Sequence, residues 1–294
     1  MYEKFFKLTE APFQLTPDHR YFFASYGHKR AMGYLTFGLS QGEGFVVITG
    51  EVGAGKTTLV GHFLATLDPT RFVTSTVVTT QLGADDTLRM VAAGFGINQE
   101  GLDKATLLLR LQSFLKNSSN RGVRAVVIVD EAQNLSLPAL EELRMLSNLQ
   151  VARPPALQLL LLGQPQFRDK MASNDLSQLR QRVIATYHLG PLSIEETKEY
   201  VLHRLAHVGW KDDPRISVDV FQSVYRETSG VPRLINVLFS RVLLFAYLEQ
   251  SHTVTGKTVA EVAEDLRAEF NSWRPQDRAA TSPLHRRPSP AKAM

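Results

Sequence analysis

The chain has 294 residues, of which 44% are apolar and 21% are charged, with a formal net charge of +4. Such a chain can bury one large core, or a large core with a small companion, so wholesale disorder is excluded. It contains no cysteine, which excludes disulfides, thiolate metal sites and a cysteine nucleophile and is consistent with a reducing cytoplasm.

The N-terminal segment, residues 1–43, has no basic region followed by an apolar stretch and a small-residue cleavage site, so no signal peptide is expected. Aromatic side chains crowd this segment. We expect most of them to pack over the edge of the sheet described below, rather than to form a stacking platform for nucleic acid. They include Phe5, Phe6, Phe13, Tyr21, Phe22, Phe23 and Tyr26.

Residues 44–80 show the pattern of strand, glycine-rich loop, helix and strand. Phe45–Thr49 is a short apolar run rich in β-branched residues, typical of a buried parallel strand. Apolar residues recur at helical spacing in Lys56–Leu67, and Phe72–Thr80 is again rich in strand-forming residues.

The loop between this strand and helix matches the phosphate-binding pattern G-x-x-x-x-G-K-[ST]. Its glycines let backbone N–H groups approach a β-phosphate, Lys56 would reach the β- and γ-phosphates, and Thr57 would place its hydroxyl on Mg²⁺. A glycine turn with a chance Lys-Thr is the alternative, but the flanking strand and helix favour nucleotide binding. We therefore predict ATP and Mg²⁺ as cofactors. The predicted binding residues are Gly50, Glu51, Val52, Gly53, Ala54, Gly55, Lys56, Thr57 and Thr58.

His28, upstream of this loop, is a further candidate for nucleotide binding. It would lie near the adenine base, together with neighbouring aromatic side chains, or else be an ordinary surface histidine.

Two carboxylates follow the next buried strand, which is predicted over Ala125–Val129 after a helical region. Asp130 would hold Mg²⁺ through its water shell, and Glu131 would polarise the attacking water. Alternatively, both acids would begin the amphipathic helix predicted over Pro138–Leu149, where acidic residues favour the helix dipole. The phosphate-binding loop upstream favours the catalytic interpretation.

Three polar residues follow the apolar run Leu157–Leu162. Gln164 would sense the γ-phosphate from the end of a strand, or would be a turn residue. Arg180 and Arg182 are candidates for an arginine that a neighbouring subunit supplies in trans to the transferring phosphate, although surface arginines are usually solvated. Arg182 is preferred because a strand resumes directly after it.

Strands alternating with helices predict an α/β fold, a three-layer P-loop core with a parallel sheet covered on both faces, over residues 1–190. Beyond Gly190-Pro191 the patterns are helical, which predicts a small all-α domain over 191–270. Ser193 and Glu196 have the spacing of a capping box at its start. The helices are predicted at 194–208, 217–229, 232–249 and 258–270.

Arg233 follows Gly230 and Pro232 at the start of the long helix of this second domain. It would reach over the nucleotide as the domain closes, or would be a surface arginine after an ordinary helix start.

The tail, residues 271–294, is rich in Pro, Ser, Ala and Arg and is predicted to be disordered. It holds five basic residues and one acidic residue, so residues 1–270 retain 28 of each and are neutral. Net charge therefore gives no support for DNA binding by residues 1–270.

The longest apolar stretch, Leu234–Leu248, contains Asn236 and Arg241 and is shorter than the roughly 20 residues of a membrane span. We therefore expect a cytoplasmic protein.

Four segments together resemble one family. They are an aromatic segment from Phe5 to Phe22, ITGEVGAGKTTL, VDEAQNL and GVPRLIN. The sequence is similar over residues 1–268 to AAA+ ATPases of the secretion-pathway A group. That resemblance implies a three-layer core, a helical lid, ATP-dependent self-association, and roles as arginine finger and lid arginine for Arg182 and Arg233.

Members of the secretion-pathway group usually continue into a transmembrane helix and a periplasmic peptidoglycan-binding domain. This chain has a polar tail instead, and in that it looks closer to a short soluble branch found with exopolysaccharide and exosortase (PEP-CTERM) gene clusters. The resemblance implies a protein partner at the inner membrane, in an export or polysaccharide machinery, with the ATPase itself cytoplasmic or peripheral. A DNA-associated ATPase resembling transposition target selectors is the alternative, and an ATP-binding switch with little turnover is a third.

Overall fold

The fold is that of a computed structural model, which describes residues 1–78, 82–149 and 157–269. The predicted tail at 271–294 and the end of the predicted strand at Thr79 and Thr80 lie outside these residues.

In the described part of the chain, five parallel strands form a sheet in the order β2-β3-β4-β1-β5. The three inner strands are buried along their length, because helices cover both faces. The predicted α/β fold with a parallel sheet is confirmed. The strands are β1 Phe45–Gly50, β2 Phe72–Val78, β3 Arg124–Asp130, β4 Leu157–Gly163 and β5 Val183–Leu189.

Alternating side chains of these strands enter two hydrophobic cores. Val47, Val127 and Leu161 face the helices that follow β2, β3 and β4. On the other face, Ile48 and Leu160 pack against the helices that flank β1 in the sequence. The helices of this part are α1 Tyr2–Phe5, α2 Tyr26–Gln41, α3 Lys56–Thr66, α4 Ala84–Gly94, α5 Lys104–Asn120, α6 Leu137–Ser147, α7 Pro165–Ala172 and α8 Ser177–Arg180, with 3-10 helices at His19–Tyr21, Ala132–Asn134 and Asn174–Leu176.

A helical region follows β5 and has its own hydrophobic core. The predicted capping box is present, since Ser193 Oγ accepts from the Glu196 amide at 3.1 Å and Glu196 Oε2 accepts from the Ser193 amide at 3.0 Å. Two short strands that the sequence did not predict also pair here. The elements are α9 Ile194–His207, β6 Arg215–Ile216, α10 Asp219–Thr228, α11 Pro232–Leu248, β7 Thr253–Val254 and α12 Gly256–Glu269.

The N-terminal aromatic residues pack differently from our expectation. Phe6, Phe13 and Tyr21 are buried in the core of the helical region, against residues of α9 and α11, and not over the edge of the sheet. Phe22 does contact the core beside the sheet. The expectation of packing at the sheet edge was therefore wrong for Phe6, Phe13 and Tyr21, because local sequence does not reveal which distant apolar surface a segment covers.

Within the described residues, no helix combines the length and apolar character that a membrane crossing requires.

Candidate functional site

The loop that joins β1 to α3 is tightly enclosed, and two of its glycines are required by close contacts. A Cβ on Gly50 would lie 2.6 Å from the Leu189 carbonyl oxygen, and one on Gly53 would lie 2.4 Å from Arg233 Cβ. Gly53 and Gly55 also have positive φ angles of 82° and 95°, which side chains rarely adopt. The end of β5 and the start of α11 therefore hold the loop in place.

Lys56 begins α3 and is 94% buried, with 6% of its surface exposed. Its Nζ donates to the carbonyl oxygens of Gly50 at 2.7 Å and Glu51 at 3.0 Å. Burial lowers the pKa of Lys56, and the carboxylates of Glu131, Asp130 and Glu51 oppose that shift. The ammonium group is thus held against the loop by two backbone carbonyl oxygens.

Thr57 and Asp130 meet although 73 positions separate them in the sequence. The Thr57 hydroxyl donates to Asp130 Oδ2 at 2.7 Å, because β3 lies two strands from β1 and ends at the same edge of the sheet. A hydroxyl and a carboxylate are hard oxygen donors that fit Mg²⁺ shared with phosphate oxygens. No group of three or more His, Asp or Glu side chains able to hold a metal occurs in residues 1–78, 82–149 and 157–269.

Glu131 has a left-handed backbone, with φ 52° and ψ 41°, an unusual conformation for a residue other than glycine. Its amide donates to Asp130 Oδ1 at 2.9 Å. It precedes a 3-10 helix, whereas α6 begins only at Leu137, so the alternative of two acids opening that helix is wrong. Glu131 faces the cleft that the phosphate-binding loop also lines.

Gln164 follows β4 and contacts Glu131, with its Nε2 donating to Glu131 Oε2 at 3.0 Å. It reaches the site through that carboxylate and is not among the residues that line the cleft. Gln133, which our sequence analysis did not select, donates through Nε2 to the same oxygen and accepts from the Gln164 amide at 3.0 Å. The only indication in the sequence was its position two residues after Glu131, within hydrogen-bonding reach of that carboxylate.

His28 lies on α2 and is buried against the phosphate-binding loop, so the alternative of a surface histidine is wrong. Its Nε2 lies 2.9 Å from where a Cβ on Gly55 would be, and its Nδ1 lies 2.7 Å from Ser25 Oγ. Burial lowers the pKa of His28 to about 4, against smaller opposite contributions from Glu196 and the Ala54 backbone. The imidazole is therefore neutral at pH 7.

Arg233 begins α11 beside the loop, where its amide donates to the Gly53 carbonyl at 3.2 Å. Its side chain is exposed and lines the cleft. The structure thus brings Arg233 together with Lys56, Thr57, Asp130 and Glu131.

Arg180 and Arg182 do not reach this site. Arg182 precedes β5, and its carbonyl accepts from the Phe45 amide at the start of β1, the end of that strand remote from the loop. The Arg180 guanidinium donates to the carbonyls of Met171, at 2.6 Å, and Ser173. The Arg182 side chain is half-buried and forms no hydrogen bond or ion pair with another of the described residues.

A buried polar network that the sequence did not reveal lines the same cleft as the loop. Tyr200 donates to Asn236 Oδ1 at 2.8 Å, and Arg204 donates to the Pro12 carbonyl at 3.2 Å. Asn236 donates to the Gln14 carbonyl at 3.2 Å. These bonds join the N-terminal segment to α9 and α11, so the cleft lies between the core and this joined unit.

Comparisons with known proteins agree with this architecture. The family model described as an AAA domain matches residues 39–171. The chain is 36% identical, over 90% of its length, to general secretion pathway protein A of Aeromonas hydrophila, and it spans 48% of that relative's length.

Solved structures share the fold at low sequence identity. The ADP form of the ORC2 protein of Aeropyrum pernix is 18% identical, with a TM-score of 0.62, over 88% of this chain and 75% of that one. The ORC1 protein of the same organism, in complex with DNA, is 15% identical, with a TM-score of 0.62, over 90% of this chain and 71% of that one. At these identities the likeness concerns the fold alone.

We predict that His28 makes stability depend on pH between about 4 and 6.5. A histidine whose folded pKa lies near 4, below the ordinary 6.5, stabilises the fold above pH 6.5, and that contribution falls as pH drops toward 4. Urea unfolding at pH 7 and pH 4.5 should show that the gap between the wild type and His28→Gln shrinks by about 3 kcal/mol at most. The exposed His19→Gln is the control, and a constant gap would contradict the prediction.

Proposed function

Because this chain contains an AAA domain, we propose that it binds Mg·ATP in the cleft and hydrolyses it. The observation that carries the proposal is the 2.7 Å hydrogen bond from Thr57 to Asp130, with Glu131 next in sequence and facing the cleft. It joins the hydroxyl of the phosphate-binding loop to the strand-end carboxylate, the two groups that would hold Mg²⁺.

The residues of the site have separate tasks in this proposal. The loop amides and Lys56 bind the β- and γ-phosphates, and Lys56 would leave its present carbonyl partners to do so. Bound Mg²⁺ would supply neutralisation of the developing negative charge. Glu131 orients a water molecule and accepts its proton as the water oxygen bonds to the γ-phosphorus and the bond to the bridging oxygen of ADP breaks. Gln164 would sense the γ-phosphate, and its hydrogen bond to Glu131 would couple the presence of that phosphate to the position of the carboxylate.

We predict that two substitutions separate binding from hydrolysis. Lys56→Ala should abolish ATP binding, because it removes the buried cation of the loop. Glu131→Gln should bind ATP with nearly unchanged affinity and lose on the order of 10²-fold or more in kcat, because it removes the proton acceptor. Fluorescent ATP binding and phosphate release measure the two effects.

The controls for these substitutions are the exposed Lys29→Ala and Glu43→Gln, which should behave as the wild type. Normal hydrolysis by Glu131→Gln would overturn the catalytic assignment. No phosphate release by the wild type, with ATP still bound, would make the chain a nucleotide-binding switch.

Arg182 would serve a neighbouring copy of the chain. Its place before β5 is remote from its own site, and the Arg180 side chain is already bonded to two carbonyls. If the chain self-associates, Arg182 can reach the site of a neighbouring copy although it is remote from its own. Arg233 would act on the nucleotide of its own chain, beside the loop. An arginine supplied in this way stabilises charge on the transferring phosphate.

We predict that Arg182→Ala lowers kcat on the order of 10³-fold and leaves ATP affinity within about twofold. Mixing Arg182→Ala with Lys56→Ala should restore part of the activity, because a Lys56→Ala neighbour supplies Arg182 to an intact loop. Phosphate release from the single variants and from their mixture measures this, with the exposed Arg121→Ala as control. If the mixture is as inactive as its components, Arg182 does not act in trans.

ATP hydrolysis would drive assembly or export in a system of the cell envelope. That system would be either protein secretion or the exopolysaccharide machinery encoded at PEP-CTERM loci. The relative named general secretion pathway protein A supports this proposal over the part of it that the chain spans. The protein would be cytoplasmic, and peripheral at the inner membrane when bound to its partner there. The neutral charge of residues 1–270 favours this role over DNA binding, although the fold is shared with a structure solved with DNA.

We expect deletion of the chain to reduce surface polysaccharide or protein export, with rescue by the wild type and not by Lys56→Ala. Quantified polysaccharide and secreted protein are the readouts. If both stay normal after deletion and the purified protein shifts duplex DNA at low salt with ATP, the DNA-associated alternative replaces this role.

A further inference from the structure

Gln133 occupies a position in which both ends of its side-chain amide are used. Its Oε1 accepts from the Gln164 backbone amide at 3.0 Å, and its Nε2 donates to Glu131 Oε2. Gln164 Nε2 donates to the same oxygen at 3.0 Å. Two amide donors, from two separate segments, thus converge on one carboxylate oxygen.

The orientation of this amide follows from its neighbours. A backbone N–H can only donate, so the oxygen of Gln133 must face Gln164, and the NH₂ group must then face Glu131. A carboxylate oxygen that accepts two hydrogen bonds keeps a fixed direction, because rotation would break both. The direction matters because Glu131 lines the cleft and has a strained backbone at φ 52°.

Lys170 fixes the backbone that carries Gln133. From α7 its Nζ donates to the Gln133 carbonyl at 3.1 Å and to the Leu135 carbonyl. Partial burial lowers the pKa of Lys170, whereas acceptance by the two carbonyl oxygens favours its charged form. Since α7 begins directly after Gln164, one short helix holds both residues that donate to Glu131 in place.

We propose that Gln133 is a positioning residue for ATP hydrolysis, which holds Glu131 by N–H donation and links it to Gln164. The proposal rests on the proposed function, since Glu131 must be the residue that activates water. The acting group is the NH₂ donor. The acceptor oxygen serves only to orient it.

Two substitutions separate the donor from the acceptor. Gln133→Met keeps the length of the side chain and removes both polar ends. Gln133→Glu keeps an oxygen for the Gln164 amide but places a second carboxylate against Glu131. The exposed neighbour Asn134→Asp is the control, because it adds the same charge one residue away.

We expect both Gln133 variants to lose on the order of 10²-fold in kcat, while the Kd for ATP changes less than about threefold. Asn134→Asp should behave as the wild type. Wild-type turnover by Gln133→Glu would overturn the donor role, and unchanged or faster turnover by Gln133→Met would overturn positioning altogether. A fall in ATP affinity equal to the fall in kcat would mean that Gln133 only supports the fold.

A second measurement tests the role of Gln133 separately from the proposed function. If the wild type releases no phosphate, the chain is not an ATPase, and NMR then tests the hydrogen bond between Gln133 and Glu131. The side-chain amide protons of Gln133 should then shift in Glu131→Ala and remain unchanged in the control Glu43→Ala. An unchanged Gln133 resonance in both would overturn the contact itself.

Discussion

The site depends on one constraint, the close backbone approach around the loop between β1 and α3. Gly50 contacts the Leu189 carbonyl oxygen and Gly53 contacts Arg233, at distances that leave no room for a Cβ. The chain from Leu189 continues to Leu192, whose amide donates to the Gly230 carbonyl at 2.9 Å. The phosphate-binding loop thus contacts the end of β5, through Leu189, and the start of α11, through Arg233.

The order of the parallel strands explains why residues distant in sequence converge beside this loop. Parallel strands end at the same edge of a sheet, and ligands of such sheets bind at that edge. With β1, β4 and β3 adjacent, Thr57, Asp130 and Gln164 all lie there. Arg182 precedes a strand instead of following one, so the same geometry places it at the opposite edge, away from its own site.

The sequence predicted the parts of the fold whose signals are local. The inner strands are mainly apolar, the phosphate-binding loop has a fixed pattern, and the capping box at Ser193 needs only four residues. The partner surface of Phe13 could not be predicted, because burial in the helical core depends on tertiary packing. Gln133 and Arg204 were missed for the same reason, since their roles come from hydrogen bonds to residues on other elements.

Tertiary contacts also determine which of the two units beside the cleft, the core or the helical region, each N-terminal segment belongs to. Arg204 and Asn236 bond to the backbone of Pro12 and Gln14, so the N-terminal segment is attached to the helical region. His28 packs against Gly55, so the following segment is attached to the core. A nucleotide in the cleft would touch both units, and any ligand that binds them only together stabilises their closed arrangement by its binding free energy. If the chain hydrolyses ATP as proposed, loss of the γ-phosphate would remove part of that binding free energy and so weaken the link between the two units.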